Sequence, residues 1–358
     1  MFMLNCRNFQ SLLVILLVVI FVESGDANFW VQQTEVPTSR NGVARAVVGS
    51  KIYIIGGVPY SNKGGPGWSA LSTVEIYDTL SNAWRKGADM PTPRIAAQAA
   101  VFAGEIYVFG GYSRGKIRGT KQHKIVEVYD PQTDTWTRTR DMPTLRGGFK
   151  TAVIDGKIYA IGGAVLDRQR DVEVATNLVE AYDPLANRWE KRASMPTKRK
   201  WVDPEVIDGK IYAIGGEISP RHGVPIAEQF FTRIEEYNPR TDRWRKLPDM
   251  PMSRFSFDTV AVDKKVYLIG GYALNNGFKK VTSVDVYEPS LNRWTVIPPI
   301  PVGKIAPAVA VNGVIYVLGG FVSGTRFSQA VEAFDTGFRA VNPKNKLPTR
   351  WGDLKKLD

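Results

Sequence analysis

The sequence predicts an all-β repeat protein, and three observations carry that reading. A strand-like run ending in two glycines, Ile106-Tyr107-Val108-Phe109-Gly110-Gly111, occurs six times, and the first glycines of the pairs stand at positions 56, 110, 162, 215, 270 and 319. Their gaps of 54, 52, 53, 55 and 49 residues define a period near fifty, the mark of a repeat architecture. The six units fill nearly everything after the first thirty residues of the 358-residue chain, so one repeat domain is expected rather than two unrelated ones.

Each unit reads as four strands, and the second shows them in order. Ala96 to Ala103 is small and largely apolar, as a crowded inner strand requires. Ala103-Gly104-Glu105 turns the chain into a second strand, Glu105 to Phe109. A loop from Tyr112 to Lys124 leads to a third strand, Ile125 to Asp130, with period-two alternation. Pro131-Gln132-Thr133-Asp134 is a turn, since proline presets one backbone angle and the Asp and Thr side chains bond locally. Thr135 to Arg138 is the fourth strand, and Asp141-Met142-Pro143 passes to the next unit. Asp155-Gly156, Asp208-Gly209 and Asn312-Gly313 suit tight two-residue hairpins between first and second strands.

The same grammar runs through the other units. Third strands carry Tyr77-Asp78, Tyr129-Asp130, Tyr182-Asp183, Tyr237-Asn238, Tyr287-Glu288 and Phe334-Asp335. Seven residues after each of the first five stands a tryptophan: Trp84, Trp136, Trp189, Trp244 and Trp294. Six residues further comes Met90-Pro91, Met142-Pro143, Met195-Pro196, Met250-Pro251 or Ile300-Pro301. With the diglycine and the period, these residues resemble the kelch motif over about residues 29 to 335. The resemblance implies a β-propeller, here six-bladed, each blade a four-stranded antiparallel sheet around a central channel. Its glycines let crowded backbones approach, and its Tyr and Trp fill the wedges between blades.

The ends fit one scheme. Phe334 has Val341, not tryptophan, seven residues on, whereas Phe29-Trp30 is followed by Val36-Pro37 at the usual spacing. Residues 29 to 36 are therefore expected to complete the last blade and close the ring. Residues 336–358 are a surplus basic tail, either a flexible segment or strap, or a docking or sorting motif. In residues 1–25 a short region with Arg7 precedes the apolar run Leu12 to Val22, then Glu23, Ser24 and Gly25. This has the shape of a secretory signal peptide, with an uncleaved membrane anchor as the alternative; eleven apolar residues fall short of the roughly 20 that span a bilayer. The protein is thus expected to be secreted, periplasmic or otherwise extracellular, a monomer, and without stable membrane insertion after cleavage. Cys6 is the single cysteine, so a chain cleaved after it has no thiol for a disulfide, a metal or nucleophilic attack.

Function is expected on the face that bears the second-to-third-strand loops, roughly 58–72, 112–124, 164–177, 217–232, 272–282 and 321–329, opposite the tight turns. Three residues after each linking proline stands a cation: Arg40, Arg94, Arg146, Arg199, Arg254 or Lys304. Six such cations around a channel mouth are expected to draw carboxylate, sulfate or phosphate; the opposing reading is that they bond neighbouring loops. Kelch propellers that bind acidic peptides line the pocket with arginines at this position, so the resemblance implies the same use. The net charge of +12 fits an acidic partner, protein, peptide or glycan, and export argues against nucleic acid.

Catalysis is the alternative. Glu217 directly follows the fourth diglycine, where the other units carry Val58, Tyr112, Ala164, Tyr272 and Phe321. A lone carboxylate beside a basic channel mouth suits a general base. Exported bacterial kelch proteins that mutarotate sialic acid have a Gly-Glu at a similar point, so the resemblance implies a sugar mutarotase as the second reading, with Arg221 nearby. Gly111-Tyr112-Ser113-Arg114-Gly115 matches a nucleophile-elbow pattern but lacks the helix and acid that motif needs. His123 and His222 are the only histidines and lack metal-ligand spacing, so no metal and no cofactor is expected.

Overall fold

A computed structural model describes residues 29–59, 69–114, 120–167, 169, 172–218, 229–273, 279–323 and 326–339. The expected signal segment, the tail beyond residue 339, and Arg221 and His222 lie outside them. Among the described residues the fold is all-β, with six four-stranded antiparallel sheets and no helix long and apolar enough to cross a membrane.

Each sheet follows from the repeat. In the first, Ala44–Val48, Lys51–Ile55, Val74–Asp78 and Ala83–Gly87 run from inside to outside. The inner-strand side chains are short because six sheets converge there, and the second strand ends where Gly56 and Gly57 turn at φ +65° and +90°. A Cβ on Gly56 would lie 2.6 Å from the carbonyl oxygen of Arg94, so the diglycine marks a close backbone approach of one sheet to the next. The tight turns form as expected: Asp155-Gly156, Asp208-Gly209 and Asn312-Gly313 have positive φ at both residues, the signature of a type I′ hairpin.

The core lies in the wedges between sheets. The third-strand Tyr and fourth-strand Trp are cross-strand partners, as in Tyr129–Trp136 with ring centroids 5.0 Å apart. The Trp136 indole N–H donates to the carbonyl of Ala88 in the preceding sheet, so the residue that fills a wedge also ties it. At the N-terminus, Val31–Gln33 pairs with the last sheet, and Trp30 packs on Phe334 at 5.3 Å. A buried cluster containing Ile54, Tyr77, Val309 and Tyr316 packs the last sheet against the first.

Several loops are more ordered than the sequence suggests. Tyr112–Arg114 pairs with Thr120–Gln122, and Ala164–Asp167 with Val172–Ala175, as small two-stranded ribbons. The 321–329 loop is largely strand: Val314–Ser323 and Arg326–Asp335 continue their pairing past Gly319-Gly320 through two register shifts. Alternation beyond a diglycine is too short in sequence to show whether the chain pairs again.

Candidate recognition face

The six linking cations do not form an open ligand ring. Arg40, Arg94, Arg146, Arg199, Arg254 and Lys304 are buried, none more than 5% exposed. Each points back into its own sheet and meets a third-strand carboxylate: Glu75, Glu127, Glu180, Glu235, Asp285 and Glu332 respectively. Arg199 Nη2 lies 2.7 Å from Glu235, and its Nη1 donates to the carbonyls of Gly215 and Arg233 at 2.5 and 3.1 Å. Its own carbonyl accepts the N–H of Gly163 from the preceding sheet at 3.0 Å. The arginine and the diglycine are thus one device, holding the turn after the second strand and stapling adjacent sheets. Burial pushes the pKa of each of these cations down while the partner carboxylate pulls it back. The expected contact of these six with an acidic ligand is therefore corrected to internal ion pairing, because their terminal nitrogens are taken up by a third-strand carboxylate and by backbone carbonyls of the same sheet.

What opens on the loop face is a cavity of about 490 Å³ at the channel mouth, lined by Ile95, Lys150, Trp201, Glu217 and Phe257 among others. Trp201 stands out on backbone grounds. It adopts φ +54°, at a point where the other sheets use Gly42, Ala96, Gly148 and Ser256. A bulky residue in the left-handed region is uncommon and marks a place where strain is kept for a use. Its ring lies over Gly148, where an added Cβ would meet it at 3.2 Å.

Glu217 reaches this mouth. Its carboxylate lies 3.4 Å from Lys200 Nζ, and burial raises its pKa against the pull of that lysine. Nearby, Glu173 accepts from the Tyr112 hydroxyl and from Gln122, each at 2.9 Å, and Ser113 and His123 share a hydrogen bond of 2.7 Å. Burial lowers the pKa of His123. This side of the mouth, over the second to fourth sheets, is polar and internally paired.

Below the mouth a second cavity of about 310 Å³ runs into the channel. Arg45 of the first sheet pairs with Asp258 of the fifth, while Lys150 of the third reaches Asp203 at 3.0 Å and Asp258 at 3.7 Å. The two bonds to Asp258 join sheets that are not neighbours, the first and third with the fifth. Glu205 stands opposite the second-strand Tyr, where the other sheets carry Ala46, Ala100, Ala152, Val260 and Val309. It accepts a 2.7 Å bond from Thr259, and burial, reinforced by Asp203 and Asp258, raises its pKa to about 7.

The sequence reading named Glu217 but missed Trp201, Glu205 and the charges across the channel. The signal was present as a departure from the repeat: charged residues stand on inner strands that are small and apolar elsewhere, and a tryptophan stands where glycine, alanine or serine serves.

Comparison with known proteins fits this architecture. The family described as FKB95, Kelch-repeats domain, matches residues 23–165, and the Kelch motif matches residues 145–196, 204–251 and 306–340. The chain is 28% identical to Kelch-like protein 25 of Xenopus tropicalis, over 68% of this chain and 38% of that protein. It is 29% identical to Kelch-like protein 23 of Pongo abelii, over 83% and 49%, and 26% identical to Beta-scruin of Limulus polyphemus, over 80% and 31%. The chain thus spans less than half the length of these relatives. Among solved structures, that of YjhT superposes with a TM-score of 0.68 at 18% identity, covering 84% of this chain and 95% of that one, a likeness of fold.

Proposed function

The chain belongs to the kelch-repeat family, and from that premise we propose that it is a protein-interaction module whose partner docks on the loop face, at and around the channel mouth. One observation carries the reading: the residues that depart from the repeat, Trp201 above all, gather on this face, while the opposite face carries the tight turns that recur from sheet to sheet. A rigid scaffold with one individual face is the arrangement of a recognition module. We read the protein as an exported monomer, on the signal-like residues 1–25.

The test is site-specific photo-crosslinking. A photoreactive side chain at Trp201 should trap a protein partner, whereas one at Leu185, exposed on an opposite-face turn, should not. Crosslinking from position 185 alone, or from neither, overturns the reading.

Glu217 favours a second reading. A carboxylate with a raised pKa beside Lys200, in a cavity large enough for a sugar, suits removal of the anomeric hydroxyl proton in mutarotation. Proton NMR of acidic sugars, sialic acid included, separates the two. Anomer exchange above the uncatalysed rate that Glu217→Gln abolishes would make the protein an enzyme; binding without exchange, or neither, removes the second reading.

A further inference from the structure

The repeat breaks a second time on the loop face, and the break is concentrated in the fifth and sixth sheets. In the first four sheets a threonine two residues before the buried arginine completes the ion pair. Thr38, Thr92, Thr144 and Thr197 donate to Glu75, Glu127, Glu180 and Glu235 at 2.6 to 2.7 Å. In the fifth and sixth sheets Met252 and Val302 take that place, and both are exposed, 36% and 46%. Neither can bond a carboxylate. The pairs beneath have changed with them: Arg254 meets the shorter Asp285 and recruits Ser283 at 2.5 Å, and the sixth pair is Lys304 with Glu332.

Half-buried aromatic side chains cluster on the loops of this face near the same two sheets. Phe255, three residues after Met252, stacks against Phe230 at 3.9 Å and against Tyr272 at 5.0 Å, with interplanar angles of 20° and 19°. Lys280 holds its ammonium 4.9 Å from the Tyr272 ring and 3.8 Å from the Phe321 ring. Its backbone lies against Gly303, where an added Cβ would meet it at 3.2 Å, so Lys280 sits beside Val302. Stacking and the cation occupy electron-rich ring faces. Among the described residues Lys280 has no carboxylate partner, and Lys279 beside it is exposed.

We propose that this sector, built by Met252, Phe255, Tyr272, Lys280, Val302 and Phe321, docks a polypeptide segment in which carboxylates alternate with apolar side chains. The proposal rests on the interaction-module reading and names the chemistry of its partner. Charge complementarity selects the acid: Lys280 and the exposed Lys279 present positive potential on a chain of net charge +12. The apolar component selects polypeptide over glycan. Where four sheets carry a threonine this sector carries the exposed isopropyl group of Val302 and the methionine Met252, whose sulfur already accepts from Arg254 at 3.7 Å, and sugar hydroxyls laid on them would lose water without gaining a strong partner.

The experiment measures binding of short fluorescent peptides to the full chain by anisotropy. One probe alternates Asp and Glu with Leu and Phe; the second replaces its acids by Lys, the third its apolar residues by Ser. The first should bind at least about tenfold more tightly than either control. Lys280→Glu should weaken it about tenfold, and Met252→Thr with Val302→Thr several-fold, the threonine pair with a thermal midpoint no lower than the parent's. Equal binding of the three probes, no binding, or indifference to both variants overturns the proposal. So does a dimer by light scattering that the threonine pair disperses, since the sector would then belong to a second copy. If the peptide fails while Trp201 still crosslinks a partner, the module reading stands and only this assignment falls.

Discussion

The buried cation–carboxylate pairs and the sector over the fifth and sixth sheets meet two residues apart along the chain, at Met252 and Arg254 and at Val302 and Lys304, yet they are opposite kinds of structure. At Arg199 every feature is copied elsewhere: the arginine, its glutamate, the threonine that completes the pair and the glycine carbonyl it holds. At Val302 the copying fails, and the residue that replaces threonine is exposed and apolar. A position repeated in every sheet answers to a demand that every sheet makes, which is to keep its backbone bonded and packed. A position that departs from the repeat is released from that demand and free to meet a partner's.

The sharpest way to break this comparison is at the repeated site. Arg199→Ala should cost about 3–5 kcal/mol of unfolding free energy, because it strands Glu235, which is fully buried, without a counter-ion. Urea unfolding checks it. Replacing Arg199 by Met and Glu235 by Leu together should cost less than the single change, since no charge is left stranded. An Arg199→Ala protein of unchanged stability that had lost an anionic ligand would restore the ligand-ring reading and overturn the scaffold one.

Glu205 tests the same contrast through pH. Its carboxyl titrates about 7 in the folded protein against an ordinary value of 4.5, so the folded state holds the extra proton between those limits. Stability from this group is complete below pH 4.5 and is lost as pH rises through 7, by at most about 3 kcal/mol. Glu205→Gln should flatten that part of the stability profile, with Arg45, Lys150, Asp203 and Asp258 still in place. A profile unchanged by the substitution would mean that the channel charges compensate one another and that Glu205 is not singular.

Trp201 should behave differently again. Trp201→Gly relaxes a left-handed backbone at a point where Gly42 and Gly148 already stand, and it removes the ring packed on Gly148. The two effects oppose, and the net change in stability should stay within about 1 kcal/mol. Docking at the mouth should be lost, which a photoreactive group placed at Ile95, also on the mouth, would report. A large loss of stability with docking intact would assign Trp201 to the scaffold.

This contrast also explains what the sequence made legible. The diglycines and the Tyr–Trp spacing are periodic, so one chain supplies six readings of the first and five of the second, and Trp30 then stands in for the missing last tryptophan. The arginines were equally visible, but periodicity alone could not say which way they point. Their register three residues past a proline is compatible with a side chain directed to solvent or back under its own sheet. Only the depth of Glu75, Glu127, Glu180 and Glu235 in the third strands decides it. Met252 and Val302 were readable as exceptions once the threonines at 38, 92, 144 and 197 are aligned. The stacking of Phe230 on Phe255 was not, because it joins residues twenty-five apart through backbone turns that no local pattern specifies.

The smallest expected effect is the most diagnostic. Val302→Thr puts back the hydroxyl that four other sheets use on their glutamates, and Glu332 occupies the matching place in the sixth. The restored bond to a charged acceptor should raise stability by up to about 1 kcal/mol, roughly 2 °C in thermal midpoint for a domain of this size. The same change should weaken docking. A substitution that strengthens the fold and weakens recognition at one position shows that the valine is kept at a cost to the scaffold, as a binding residue is. If Val302→Thr leaves both quantities unchanged, the sixth sheet has merely drifted from its copies, and the sector loses the residue that most distinguishes it.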